Sequence, residues 1–255
     1  PCLLNNRLPA KGQMKNDSYL ERLSSTLRAR ILELPYKGVE DLEQAFIEIM
    51  KGEEYTSVIG DKDTEYVRYL PHLYNVFPEA WLIHIKRDPR DVLASRKKAE
   101  WSRGRSASFH AAEYEYYINV LEKEGPALFG EKYITLRYED LLQDPEQEMR
   151  RIVGELKIPY NEIVLQFYDK SSSIVSNDEA SWKENLSRPL MKKNIGKWRN
   201  SLSAQEVAMV QHGIEDFMRD NGYEIEPAFP SRLRLIEKQL IKWLFKAKTF
   251  NERLR

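Results

Sequence analysis

Cysteine is nearly absent: the 255 residues contain one, Cys2. A disulfide within the chain is thereby excluded, which points to a reducing compartment and away from a disulfide-stapled secreted domain. Histidine is scarce as well. His72, His84, His110 and His212 lie scattered without ligand spacing, so no structural zinc site, and no metal, is expected. Net charge is missing too, since 40 Lys and Arg balance 40 Asp and Glu. No global field draws the chain to nucleic acid, and affinity for an anion must come from a local cluster. Long apolar runs are lacking: nothing approaches the roughly 18 residues that a membrane-spanning helix requires. No signal peptide is visible, although the chain begins at Pro1 rather than Met. A cytoplasmic location is the expectation on these grounds.

What is present is ordinary globular material, 42% apolar and 31% charged. The length suits one α/β domain with a real core better than two domains. The expected organisation is a domain over 1–230 followed by a basic amphipathic helix over 231–255.

Local signals place the elements. Residues 1–16 read as loop. Ser18 to Glu21 has the form of a capping box before a helix to about Leu34, and a second helix is expected from Gly38 to Met50. Thr56 to Gly60 is a short strand candidate that runs into Asp61-Lys62-Asp63. A helix from Thr64 to Asn75 must break or kink at Pro71. Ala80 to Ile85 is the strongest strand, apolar enough for burial on both faces. Asp88-Pro89 reads as a cap and first-turn pair opening a helix to Lys98. A Tyr-rich helix over 107–124, a strand over 133–137 and a helix opened by Asp144-Pro145 follow. Residues 170–195 are polar and irregular. Ser203 to Glu206 is another capping box, starting a helix expected to end at Asn221-Gly222. Strands alternating with helices over 56–156 predict a parallel sheet with crossover helices.

Ligands of open α/β sheets sit at the carboxyl ends of the strands. Arg87 follows the strongest strand, and its guanidinium can grip a phosphate with two parallel hydrogen bonds. Ser95 lies eight residues on and could reach the same group. The alternative is that Arg87 to Asp91 is only a capped helix start with surface ion pairs.

The segment Ile83 to Ser95, with Arg87-Asp88-Pro89-Arg90-Asp91 at its centre, resembles the 3′-phosphate-binding segment of sulfotransferases that use 3′-phosphoadenosine-5′-phosphosulfate (PAPS). Gly60 to Tyr66 with Phe77 to Ala80 resembles a segment of the tyrosylprotein and carbohydrate branches. Arg137 to Pro145 is similar to the family's Tyr-Glu-Asp-Leu segment, and Lys193 to Asn200 to its late Gly-x-Trp loop. The resemblance covers about residues 56–223.

It implies a three-layer α/β fold of the P-loop-NTPase type, a central parallel sheet flanked by helices. It assigns Arg87 and Ser95 to the 3′-phosphate and Tyr138 to the neighbourhood of the adenine; the alternative for Tyr138 is burial at the sheet edge. Lys192 and Lys193 would approach the nucleotide from the side opposite Arg87, and Trp198 would close over it or simply pack. Lys62 would stand beside the bridging oxygen of the leaving group; the alternative is a solvated lysine in a charged turn. The implied chemistry is in-line transfer of a sulfuryl group from PAPS to a hydroxyl or amine of a sugar, glycolipid, protein or small molecule, leaving 3′,5′-bisphosphoadenosine. No metal is needed, because cationic side chains stabilise the developing charge. A second reading is a non-catalytic nucleotide-binding relative, and a third another P-loop-type transferase or kinase, disfavoured because no Gly-x-x-x-x-Gly-Lys-Ser/Thr is present.

One family part is missing. No Arg/Lys-Ser-Gly-Thr-Thr loop for the 5′-phosphosulfate occurs, and neither Gly12 nor Gly38 follows a strand. The favoured expectation is that the loop and first strand precede Pro1; divergence of the loop, or a relative without activity, are the alternatives. A preceding segment would also admit the Golgi lumen or a membrane-associated setting.

His84, inside a strand, reads as structural, and His110 as a guess for the acceptor side. From Ser231 to Arg255 there are eight Lys or Arg and two Glu, with Leu233, Ile236, Leu240, Trp243 and Leu244 on one helical face. Such a helix can make peripheral contact with an anionic membrane. Alternatively it packs its apolar stripe on the domain and shows a basic outer face.

Overall fold

The computed structural model describes residues 60, 62–99, 102–170 and 188–253. The helices expected before Met50 and the strand expected at 56–60, apart from Gly60, lie outside the described residues.

Two strands, β1 (Leu82–Lys86) and β2 (Tyr133–Arg137), pair in parallel, with Leu82 opposite Tyr133 and Lys86 opposite Arg137. The connection between them holds two helices, α2 (Pro89–Arg96) and α3 (Ala107–Phe129). This is the parallel sheet with a helical crossover that the alternation of elements predicts. Ahead of β1, a 3-10 turn over Thr64–Tyr69 passes into α1 (Leu70–Val76). Pro71 lies in the first turn of α1, where its missing N–H costs nothing.

Local chemistry sets most boundaries. The Asp88 carboxylate accepts from Arg90 N at 2.9 Å and caps α2. Ser106 Oγ caps α3, which runs through Pro126 to Phe129, five residues past the expected end. Beyond β2, a short helix absent from the sequence reading, α4 (Tyr138–Gln143), leads to α5 (Pro145–Glu155), capped by Asp144. The capping box at Ser203 and Glu206 has both reciprocal bonds and opens α6 (Ala204–Gln211). The single helix expected to Asn221 is interrupted at Gly213, whose φ of 87° belongs to the left-handed region, and resumes as α7 (Glu215–Asp220).

The faces of the sheet differ. Ile134 and Leu136 of β2 pack against Ile152 of α5. Ile83 and Ile85 of β1 share that face but are 40% and 53% exposed, because the α5 layer reaches β2 and stops there. The strand expected to be buried on both faces is therefore covered on one among the described residues. On its other face His84 Nδ1 lies 2.7 Å from Tyr133 Oη, and Lys86 pairs with Glu122 of α3 at 3.0 Å.

The last helix, α8 (Arg232–Arg253), packs along α3. It does so with its charged side. Lys238 is fully buried and pairs with the buried Glu115 at 2.8 Å, Lys242 pairs with the same carboxylate, and Glu237 accepts from Ser106 and Ser108 at 2.8 Å each. The apolar stripe from Leu233 to Leu244 faces outward. The stripe does not meet the core, because the buried charges decide which side of the helix docks.

Candidate nucleotide-binding site

The end of β1 is where the chain gathers cations. Arg87 leaves the strand and lies over the ring of Tyr138, guanidinium carbon 4.5 Å from the ring centroid, while its Nη2 donates to the Asn194 carbonyl at 3.1 Å. Tyr114 Oη, on α3, donates to the Arg87 carbonyl at 2.8 Å. Arg87 is thus held from three elements. Its Nε and the Oδ1 of Asn194 are nevertheless buried without a hydrogen-bond partner among the described residues. Buried polar atoms are rarely left so unless a ligand or water completes them.

The remaining residues of the Arg87–Asp91 turn each hold a part of the site. Asp88 caps α2 and ion-pairs with Arg90 at 2.8 Å. Arg90 is buried, stacks its guanidinium 4.0 Å from the Trp198 ring centroid, and donates to Gln211 Oε1 and the Glu224 carbonyl at 3.1 and 2.8 Å. The ion pair is therefore internal, and it ties α2 to the C-terminal third of the chain. Asp91, also buried, accepts from the backbone N–H of Gly196 at 2.7 Å and of Trp198 at 2.9 Å. Gly196 adopts φ 73°, a conformation that turns the chain so that both donors converge on one carboxylate. The loop over 192–198 is fastened to α2 in this way.

Lys193 and Lys197 are carried to Arg87 by that loop. Burial, and then the neighbouring cations Arg87, Lys98 and Lys193, hold the Lys197 ammonium below its ordinary pKa, with Asp91 opposing them. An ammonium depressed by other cations marks a local excess of positive charge, which an anion would relieve. Ser95 is exposed one helical turn after Asp91, so the two share the face of α2 toward the loop. Lys192 and Lys193 are exposed in the same 3-10 turn as Asn194.

At the same strand end, Glu139 acts as a latch. It is buried, accepts from Asp88 N at 2.9 Å and from Tyr223 Oη at 2.8 Å, and so joins the end of β1 to the start of α4. Burial and the Glu139 charge push the Tyr223 hydroxyl well above the ordinary tyrosine range, so it stays protonated and donates.

Of the residues singled out in the sequence, Arg87 and Tyr138 meet at the end of β1, with Ser95 on the adjoining helix and Lys193 next to Asn194, whose carbonyl accepts from Arg87. Trp198 is buried against Ala94 and Val207. Lys62 is exposed. His110 is buried, its Nε2 2.6 Å from Ser102 Oγ; burial and then Arg96 and Arg105 lower its pKa to about 4. Four contributors were not anticipated: Asp91, Asn194, Lys197 and Glu139. Asp91 and Glu139 stand inside the quoted motifs, and Lys197 inside Gly196-Lys197-Trp198. Their neighbourhood was the only sequence signal available for them.

The described residues form an α/β fold with cationic side chains gathered at the carboxyl edge of its parallel sheet. The profile of the sulfotransferase family matches residues 10–162. The chain belongs to that family. In fold it is similar to the sulfotransferase domain from the curacin biosynthetic pathway, with a TM-score of 0.52 over 85% of this chain and 80% of that one, at 16% identity. An uncharacterized protein of Aquifex aeolicus (strain VF5) is 23% identical over 161 residues, 57% of this chain and 21% of the relative. The chain spans about one fifth of that curated relative's length.

Proposed function

We propose that the chain binds PAPS through its 3′-phosphate at the end of β1 and transfers the sulfuryl group to a hydroxyl or amine of an acceptor. The observation that carries this reading is the buried Arg87 Nε, a donor without a hydrogen-bond partner among the described residues, with Lys193 and Lys197 as neighbouring cations. Arg87 would offer its guanidinium edge to the 3′-phosphate, with Ser95 and Lys193 completing the grip. Tyr138, already under the Arg87 guanidinium, would border the adenine. Lys192 adds positive charge from the same turn. Trp198 supports the loop from below, through its packing and its backbone bond to Asp91, and so contributes to nucleotide binding by position.

The reaction exchanges one bond to sulfur for another. The S–O bond to the 5′-phosphate breaks, the acceptor oxygen or nitrogen forms the new bond, and the acceptor proton leaves to a base. Lys62 is proposed as the cation that meets the negative charge on the departing phosphate oxygen. Membership in the family and the anion-receiving strand end both support this chemistry.

Calorimetry with 3′,5′-bisphosphoadenosine, ADP and ATP tests the nucleotide. The bisphosphate should bind tightest, and Arg87→Ala should abolish its advantage. Preference for ATP would refute the reading. Transfer of labelled sulfate from PAPS to a panel of acceptors then tests catalysis. Lys62→Met should slow transfer by ~10²-fold or more while leaving bisphosphate affinity unchanged. An unchanged rate would remove Lys62 from the mechanism.

A further inference from the structure

The inverted docking of α8 leaves a surface that the nucleotide site does not use. Leu233, Ile236, Leu240, Trp243 and Leu244 recur at helical spacing on one face and are 58–80% exposed. Phe229, just before the helix, is 87% exposed. Scattered apolar side chains on a surface are unremarkable, but a continuous stripe of this kind marks a contact.

The stripe is held outward by the opposite side of the helix. Rolling α8 to bury its leucines would draw Lys238 and Lys242 off Glu115, leaving a carboxylate that is 3% exposed without its cations. It would also remove Glu237 from Ser106 and Ser108. The Phe245 ring fixes the same register by packing 5.3 Å from the ring of Phe109. The orientation is therefore specified by charge and by shape.

The rim of the stripe is basic. Arg232, Arg234 and Lys246 are exposed. Glu237 is turned onto Ser106 and Ser108, with Arg234 3.0 Å from it. A second copy of the chain on this face would set these cations against their own kind. A surface that is apolar within and anionic at its edge complements them, and a bilayer carrying acidic headgroups has both properties. We infer that α8 is an in-plane anchor: its stripe enters the headgroup boundary of an anionic membrane while Arg232, Arg234 and Lys246 lie among the lipid phosphates. Trp243 stands where indole side chains favour the water–lipid interface.

Deleting the helix would not test this, because it uncovers the face of α3 that α8 covers and removes both cations paired with Glu115. Substitutions on the exposed face do. The full chain is mixed with vesicles of phosphatidylcholine alone, or of phosphatidylcholine with phosphatidylglycerol, and floated on a density gradient. The wild-type chain should rise with the anionic vesicles only. A Leu240→Glu, Trp243→Glu double variant should partition about tenfold less or worse. An Arg232→Gln, Lys246→Gln variant should bind more weakly and with less dependence on salt. Unchanged circular dichroism and urea midpoints would establish that both variants fold. A chain that stays at the bottom with both vesicle types overturns the inference. So does flotation that the Glu variant leaves intact. A concentration-dependent dimer dissociated by that variant would assign the stripe to a second copy and overturn it equally.

Discussion

At Asp91, one carboxylate collects the N–H groups of Gly196 and Trp198 and thereby sets the position of Lys193 and Lys197 above Arg87. Asp91→Asn keeps the size but turns one acceptor into a donor that faces another donor. The variant should lose about 2 kcal/mol of stability, measured by urea unfolding, and bind 3′,5′-bisphosphoadenosine more weakly by calorimetry. Unaltered values in both would mean that the loop is held by something else. Lys197 gives a pH signature. Its pKa is depressed in the free protein, chiefly by burial and then by Arg87, Lys98 and Lys193. A phosphate in their midst raises it again. Binding should therefore be accompanied by proton uptake, be strongest below the free-state pKa of Lys197, and weaken as pH rises through it. Calorimetry in buffers of different ionisation enthalpy detects the uptake, and Lys197→Met should reduce it. At this scale the position of Arg87 just past a strand and the Asp88-Pro89 helix start were legible. Asp91 and Glu139 escaped because their partners are backbone N–H groups and a hydroxyl 51 to 107 residues away in sequence, which no local pattern encodes.

Among elements, the legible boundaries are those set by a side chain reaching its own backbone. Asp88-Pro89, Asp144-Pro145 and the box at Ser203 and Glu206 all behave as their sequences dictate. Features fixed by distant packing were not legible. The break between α6 and α7 depends on Gly213, where an added Cβ would stand 2.9 Å from the Glu115 carboxylate and φ is 87°. The outward stripe of α8 depends on the same carboxylate, which holds Lys238 and Lys242. A stripe of leucines on its own predicts core packing, and only the buried lysines reverse it. Replacing Glu115 by Ala leaves the buried Lys238 without its paired carboxylate, with only the weaker influence of Glu215 remaining. That should destabilise the chain by about 3–5 kcal/mol, read from the urea midpoint. A loss below about 1 kcal/mol would show that α8 is held by its aromatic contacts alone.

Across the whole molecule, charge sums to zero, yet it is unevenly spent: cations gather at the end of β1 and along α8, while carboxylates such as Glu139 and Glu115 lie buried as fasteners. The parallel sheet was legible from the alternation of strands and helices. Exposure of Ile83 and Ile85 was not, because hydropathy cannot say how far a covering helix extends. Between the sheet and α3 sits His84, whose pKa is lowered from 6.5 to about 4 by burial and then by Lys86. The folded chain keeps this imidazole neutral while the unfolded chain protonates it near its ordinary value. Its contribution is thus fully present above pH 6.5 and lost as pH falls toward 4, by roughly 3 kcal/mol at most. Unfolding free energies across that range should decline, and less steeply in His84→Gln.

The measurement closest to the central claim compares 3′,5′-bisphosphoadenosine with 5′-adenosine monophosphate, which lacks the 3′-phosphate, on the wild-type chain and on Arg87→Ala. If Arg87 grips the 3′-phosphate, the wild-type chain should prefer the bisphosphate by ~10-fold or more, and the variant should barely distinguish the two. Equal affinity of the wild-type chain for both nucleotides, or a preference that survives in Arg87→Ala, would contradict the account.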